Sequence, residues 1–236
     1  MKLDILAFGA HPDDIEISAG GLLIAEARRG RSVGLIDLTR GEMGTRGTPE
    51  IRSLEAARAA EIIGAKVRLN LQMPDGLFDL SNENKLKVVE QIRKYRPDIV
   101  ITNAPSDRHP DHGRAAQLVV EACFMAGLMK IKIPGSDYEA WRPTAIYQYM
   151  QFYHHTSHFI YDVSEVMDHK IACILAHSSQ FYNPGSSEPE TVIASSQFKD
   201  NLWARASEFG MQAGFKYGEP FMVVRIPGVK DLFQLY

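Results

Sequence analysis

Ile5-Leu6-Ala7-Phe8-Gly9-Ala10-His11-Pro12-Asp13-Asp14 is an apolar run that ends in a cluster of imidazole and carboxylates. The run has the length of a buried strand, and the segment after it has helical periodicity. The same arrangement returns later in the chain. Ile99-Val100-Ile101 leads toward His109-Pro110-Asp111-His112, which opens another helical segment. Working outward from these two junctions, residues 3–9 form a strand. Residues 14–30 form a helix with Ile15, Ala19, Leu22 and Leu23 on its apolar stripe and Gly30 at its end. Residues 33–38 form a second strand. A glycine-rich loop over 39–47 leads to a helix capped by Thr48, with Pro49 in its first turn and Gly64 closing it. Residues 67–71 and 98–102 read as strands. Residues 84–95, stopped before Pro97, and 111–126 read as helices. This alternation predicts an α/β, Rossmann-like fold: a mostly parallel twisted sheet with right-handed crossovers and helices on both faces. Beyond residue 130 the pattern changes. Strands are expected at 145–152 and 158–163, as a hairpin or an extension of the sheet. Helices are expected at 164–176 and 191–210, a loop at 180–189 and a terminal strand at 221–226. A single domain over 1–236 follows, with its core in 1–130 and residues 131–236 completing the fold.

Composition narrows the function classes. The chain has 236 residues, a formal charge of −3 and 45% hydrophobic residues, enough for one sizeable core. No Lys/Arg run supports a nucleic-acid partner. No basic n-region precedes a long apolar stretch, so no signal peptide is expected. The apolar runs are strand-sized, so no membrane span is expected. The two cysteines, Cys123 and Cys173, fall on apolar helix stripes and read as buried hydrophobes rather than a disulfide or thiolate site. A cytoplasmic location is the default.

In a doubly wound sheet, ligands bind beyond the carboxyl ends of the strands where the strand order reverses. With an order beginning 3-2-1-4, the two His-containing junctions face each other there. His11, Asp14 and His112 then supply the nitrogen, oxygen and nitrogen ligands of a catalytic zinc with an open position. Asp13 is the candidate general base. His109 is the candidate imidazolium that stabilises an oxyanion, with Asp111 orienting it and favouring its charged form. Carboxylates also cap helices, and for either junction alone Asp13, Asp14 and Asp111 read equally well as caps. Capping does not explain an imidazole ahead of the carboxylates at both sites. The loop over 39–47 offers Arg40, Glu42 and Arg46 to a substrate, against a reading as mobile surface. Arg52 reads either as a contact to an anionic substrate group or as a surface arginine paired with Glu50 or Glu55. His154, His155 and His158 read as solvated turn residues, and His169 and His177 as surface positions. Tyr147, Tyr149, Phe152 and Tyr153 read as sheet core or subunit interface.

His11-Pro12-Asp13-Asp14, Gly20-Gly21, Thr39-Arg40-Gly41-Glu42, Gly44-Thr45-Arg46-Gly47, Arg52 with Glu55-Ala56, and His109-Pro110-Asp111-His112 together resemble the LmbE-like zinc deacetylases. That family includes the N-acetylglucosaminyl-phosphatidylinositol de-N-acetylases and the deacetylases of mycothiol and bacillithiol synthesis. Ser178-Ser179-Gln180-Phe181 and Glu190-Thr191-Val192-Ile193-Ala194 are closest to the bacillithiol branch. The resemblance implies one Zn2+ per chain on His11, Asp14 and His112, with Asp13 as base and His109 with Asp111 at the oxyanion. It places Arg52 and Glu42 at the sugar. Relatives carry a tyrosine over the metal just before the Glu-Thr-Val-Ile-Ala stretch. This chain has Ser187-Glu188-Pro189 there, and Tyr182 is the nearest tyrosine. The implied substrate is an N-acetylglucosamine conjugate, best matched by N-acetylglucosaminyl malate, and the implied assembly is a homo-oligomer, hexameric in that branch. The alternatives are another GlcNAc conjugate or a chitooligosaccharide, or a non-enzymatic nucleotide-binding module. Against the last, the first strand–helix turn has no Gly-x-Gly-x-x-Gly and presents carboxylates where a phosphate would sit.

Overall fold

Alternate side chains of the first strand are divided between two separate cores, and this sets the architecture. A computed structural model describes residues 1–234. In β1 (Ile5–Gly9), Ile5 and Ala7 pack into one core, and Leu6 and Phe8 into the other. A strand buried on both faces needs helices on both, and the chain supplies them. On the first face lie α1 (Asp14–Arg28) and α2 (Pro49–Ile63), joined later by α5 (Met167–Leu175) and α6 (Ser196–Gln212). On the second lie α3 (Asn82–Tyr95) and α4 (Pro110–Ala126). Cys123 and Cys173 are free and buried in these cores.

The remaining strands are β2 (Val33–Thr39), β3 (Val67–Met73), β4 (Ile99–Thr102), β5 (Ala145–Tyr149), β6 (Phe159–Asp162) and β7 (Gly218–Val223). They form one seven-stranded sheet in the order β3-β2-β1-β4-β5-β7-β6. β1 to β5 run parallel to one another, and β7 is antiparallel to both β5 and β6. The chain winds outward from β1 to β3, then returns to place β4 on the other side of β1. The reversal therefore falls between β1 and β4, where an order beginning 3-2-1-4 puts it.

The second half departs from expectation in several places. β5 and β6 form no hairpin, because β7 inserts between them. The expected 191–210 helix is broken: Thr191 caps a short turn over Val192–Ala194, and Ser195 then caps α6 afresh. Ser164 caps no helix. Its hydroxyl donates to Asp162, and a short turn (Ser164–Val166) precedes α5. The last strand begins at Gly218, earlier than expected, because Pro220 sits in the part that pairs with β6 alone. No helix among the described residues is long and apolar enough to cross a membrane.

Candidate metal centre and active site

The two junctions meet at the reversal between β1 and β4. Asn103, just past β4, joins them. Its Oδ1 accepts from Ala10 N at 3.1 Å, and its Nδ2 donates to Asp14 Oδ2 at 3.3 Å. Asp14 in turn lies between the two imidazoles. Its Oδ2 is 3.4 Å from His11 Nδ1, and its Oδ1 is 3.1 Å from His112 Nε2. Gln151, just past β5, donates through Nε2 to the same Oδ1 at 3.0 Å. Ligand atoms of His11, His109 and His112 all lie within 4.8 Å of one another, and so do those of His11, Asp75 and Asp111.

None of the three carboxylates is a helix cap. Asp13 occupies the residue before α1 but makes no side-chain cap bond, and its φ of 117° is costly for a non-glycine residue. Asp14 accepts from His11 N, outside the helix. The N-cap of α4 is His109, whose Nδ1 accepts from Asp111 N at 3.2 Å.

Asp13, Asp14, Asp75, Asp107 and Asp111 crowd this small volume with buried side chains. Two guanidiniums answer them: Arg52 is 3.4 Å from Asp13, and Arg114 is 2.9 Å from Asp111. The histidines make up the balance. Burial works against the charge on His11, but Asp111, Asp14 and Asp75 overcome it and hold the imidazole well above its usual range. His112 is raised to about 9, burial being outweighed by Asp14 and Asp107. Burial likewise opposes the Asp14 carboxylate, and His112 and His11 hold it well below its usual value all the same. Imidazole nitrogens and carboxylate oxygens gathered within 4.8 Å of one another are the donor set of a divalent cation, so the residues fit a metal.

Asp13 behaves in the opposite way. Burial lifts its carboxyl to about 6, and Arg52 only partly offsets this. His109 is lowered, first by burial and then by the charges on His11 and His112. The expected pairing of His109 with the Asp111 carboxylate is absent. Asp111 Oδ2 accepts from Gly76 N at 2.8 Å, and Oδ1 faces Arg114. Because Nδ1 of His109 accepts a backbone proton, its own proton sits on Nε2, and the ring is a neutral donor rather than an imidazolium.

These groups open onto a cavity of about 280 Å3, also lined by Met43, Gly44, Thr45 and Val192. Arg52 reaches its wall, but neither as an exposed contact nor in a pair with Glu50 or Glu55. It is buried, donating to Gly41 O at 2.9 Å and Pro12 O at 2.7 Å, so it fixes the Asp13 turn against the 39–47 loop. Glu42 does not line the cavity. Its Oε1 accepts from Asp75 N at 3.0 Å. Arg46 is also turned away, donating to Ser179 O, Pro189 O and Ser186 Oγ and so tying its loop to residues 179–189. Tyr182 is exposed and off the cavity, where Thr191, Val192 and Ile193 stand instead. The loop meets the cavity, but through Met43-Gly44-Thr45.

Other residues here escape sequence reading. Asp107 Oδ2 lies 2.8 Å from His112 Nδ1, and its Oδ1 accepts from Phe152 N and Tyr153 N. This carboxylate orients the imidazole so that Nε2 faces Asp14. Asp75 meets His11 Nε2 at 3.1 Å. The signal for each was a lone polar residue on the loop after a strand. His177 is not a surface residue. It is fully buried, with Nε2 at 3.2 Å from Glu16, which also pairs with Arg68. His154, His155 and His158 diverge to Arg205, Ser106 O and Val223 N, respectively.

Gly41 lets Arg52 approach. Its φ is +67°, and a Cβ there would overlap Arg52 Nη1. Gly41→Ala should destabilise the fold by about 1–3 kcal/mol through strain and overpacking. Thermal denaturation reads this directly, and an unshifted midpoint would contradict the clamp.

Residues 6–123 match a family model described as PIG-L, GlcNAc-PI de-N-acetylase. A diacetylchitobiose deacetylase from Thermococcus kodakarensis is 32% identical over 239 residues, covering 95% of this chain and 84% of that protein. The "Probable N-acetyl-alpha-D-glucosaminyl L-malate deacetylase 2" of Bacillus cereus is 28% identical over 193 residues, covering 76% of this chain and 84% of that one. A solved structure of a conserved protein from Thermus thermophilus superposes with a TM-score of 0.86 at 35% identity, covering 97% of this chain and 98% of that one. On the match over half its length and on the full-length relative, this chain belongs to the PIG-L family of LmbE-like deacetylases.

Proposed function

We propose that this protein is a metal-dependent N-deacetylase of N-acetylglucosamine conjugates, with one zinc per chain held by His11, Asp14 and His112. The observation that carries the reading is the convergence of three imidazoles and Asp14 on one cavity, with a second, unligated carboxylate beside them. When bound, such a metal lowers the pKa of water and polarises a carbonyl oxygen.

Asp13 takes a proton from the attacking water. Its raised carboxyl suits a base working near neutrality. His109, through the proton on Nε2, donates to the oxyanion that forms as water oxygen bonds to the acetyl carbon. The C–N bond then breaks, and Asp13, now a carboxylic acid, returns its proton to the leaving amine. The products are acetate and a free glucosamine conjugate. Asp111 and Asp75 act on His11, and Asp107 on His112, keeping the rings oriented. Thr45 and Met43, in place of Glu42 and Arg46, meet the sugar.

N-acetylglucosaminyl malate is one substrate for this geometry, on the resemblance to the bacillithiol branch and the Bacillus cereus relative. A chitooligosaccharide is the second, favoured by the fuller coverage of the diacetylchitobiose deacetylase. A nucleotide module is disfavoured, because the crowded carboxylates repel phosphate. The same reading includes a cytoplasmic homo-oligomer. The deciding measurement is amine release from GlcNAc, GlcNAc-malate and diacetylchitobiose by zinc-loaded protein. Turnover of at least one conjugate above free GlcNAc is expected. No amine from any of the three, with stoichiometric zinc bound, would sink the deacetylase reading.

A further inference from the structure

A second cavity, of about 470 Å3, lies between α6 and the end of β5. It shares Gln151, Phe152 and Val192 with the metal cavity. Val192 is 58% exposed, so the shared wall reaches the surface as a rim rather than closing as a partition. The backbone of Phe152 links the two spaces. Its N donates to Asp107 Oδ1 at 3.2 Å, beside His112, and its O accepts from Arg205 Nη1 at 3.5 Å.

The chemistry of the lining is specific. Gln197 and Asn201 bring amides from α6, and Ser18 brings a hydroxyl from α1. Phe152 and Phe198 stack with centroids 5.7 Å apart at 28°. Arg205 and Glu208 bring both signs of charge, and Lys170 is already neutralised by Glu219 at 2.7 Å. Among the described residues, Ser18 Oγ, Gln151 Oε1 and Arg205 Nη2 are buried without a hydrogen-bond partner. Aromatic surface beside amides, a hydroxyl and charges of both signs suits a neutral polyhydroxylated ring better than an anion, which Glu208 would repel.

We propose that this second cavity seats the sugar ring that adjoins the N-acetylglucosamine unit being deacetylated. The inference rests on the deacetylase reading and deepens it. It assigns Arg205 and Asn201 as specificity residues and makes the disaccharide the better substrate. Gln151 connects the two sites: it lines both cavities, and its Nε2 donates to Asp14 Oδ1.

The test compares kcat/KM for diacetylchitobiose, GlcNAc-malate and GlcNAc in wild-type protein, Arg205→Gln, Arg205→Lys and Asn201→Trp. Asn201 is exposed on α6, so the tryptophan fills the cavity mouth without disturbing the core. The disaccharide-to-monosaccharide ratio should fall about tenfold or more in Arg205→Gln and Asn201→Trp, mainly through KM, with partial recovery in Arg205→Lys. An unchanged ratio, or a loss confined to the malate conjugate, would overturn the assignment while leaving the deacetylase standing. Calorimetric binding of diacetylchitobiose separates the two readings if wild type turns over nothing. Binding that weakens in Arg205→Gln then supports the second-ring site alone, and no binding overturns it as well.

Discussion

Alanine at His112 is expected to yield a folded protein that retains no metal and has no measurable turnover, whereas alanine at His109 keeps the metal and slows turnover about 10²–10³-fold. The geometry makes this contrast demanding. All three imidazoles present ligand atoms within 4.8 Å, so proximity alone would make His109 as good a ligand as His112. Their surroundings separate them. His112 has Nδ1 on Asp107 and Nε2 on Asp14, the arrangement of an oriented ligand. His109 has Nδ1 taken by a backbone amide and is only half-buried, at the cavity mouth. Zinc content after dialysis, read beside amine release, decides the matter. Wild-type zinc in His112→Ala, or its loss from His109→Ala, would reverse the two roles. Because His112→Ala strands the Asp107 carboxylate, circular dichroism on the same sample must show a folded chain.

Asp13→Asn is expected to lower kcat about 10²–10⁴-fold with zinc content unchanged, as removal of a general base does. The same substitution should raise the stability of the metal-free protein above pH 6. Burial lifts the Asp13 carboxyl from 3.8 to about 6, so between these values the folded state binds the proton that the unfolded chain has released. Stability therefore falls as pH rises through that window, and the full cost stands above it. Asparagine cannot ionise and escapes the cost. Urea denaturation at pH 4 and pH 7, after chelation, measures it. The wild-type protein should lose stability relative to the variant on going to pH 7, and parallel curves would exclude a buried Asp13 anion. Activity and stability thus move in opposite directions at one residue.

The two junctions were legible because everything that defines them is local: an apolar run, a proline, an imidazole and a carboxylate within a few positions. Alternation narrows the first four strands to a few topologies, and the 3-2-1-4 order of a doubly wound sheet is the one found. What lay beyond sequence reading depends on contacts between distant segments. β7 enters between β5 and β6 by antiparallel pairing, and no local pattern encodes a partner so far along the chain. Asp75, Asn103, Asp107 and Gln151 each stand alone at a strand's end and acquire a role only when the ends converge. Arg46 looked like a substrate contact because its loop is on the right rim. Its direction is set by residues 179–189, which fold back over it. His177 follows a helix like any surface residue, yet α5 carries it to Glu16 beneath the site.

The β1–β4 ladder pairs Ile5 with Ile99, and everything in the metal centre hangs from it. Contacts of such long sequence separation form only after the intervening chain has closed its loop. During synthesis, a ribosome-bound chain that has not yet released β4 and the start of α4 holds one half of a chelate and nothing to complete it. Metal capture therefore waits on the β1–β4 pairing. A chain that holds a metal across both junctions has, by that fact, already set β4 beside β1.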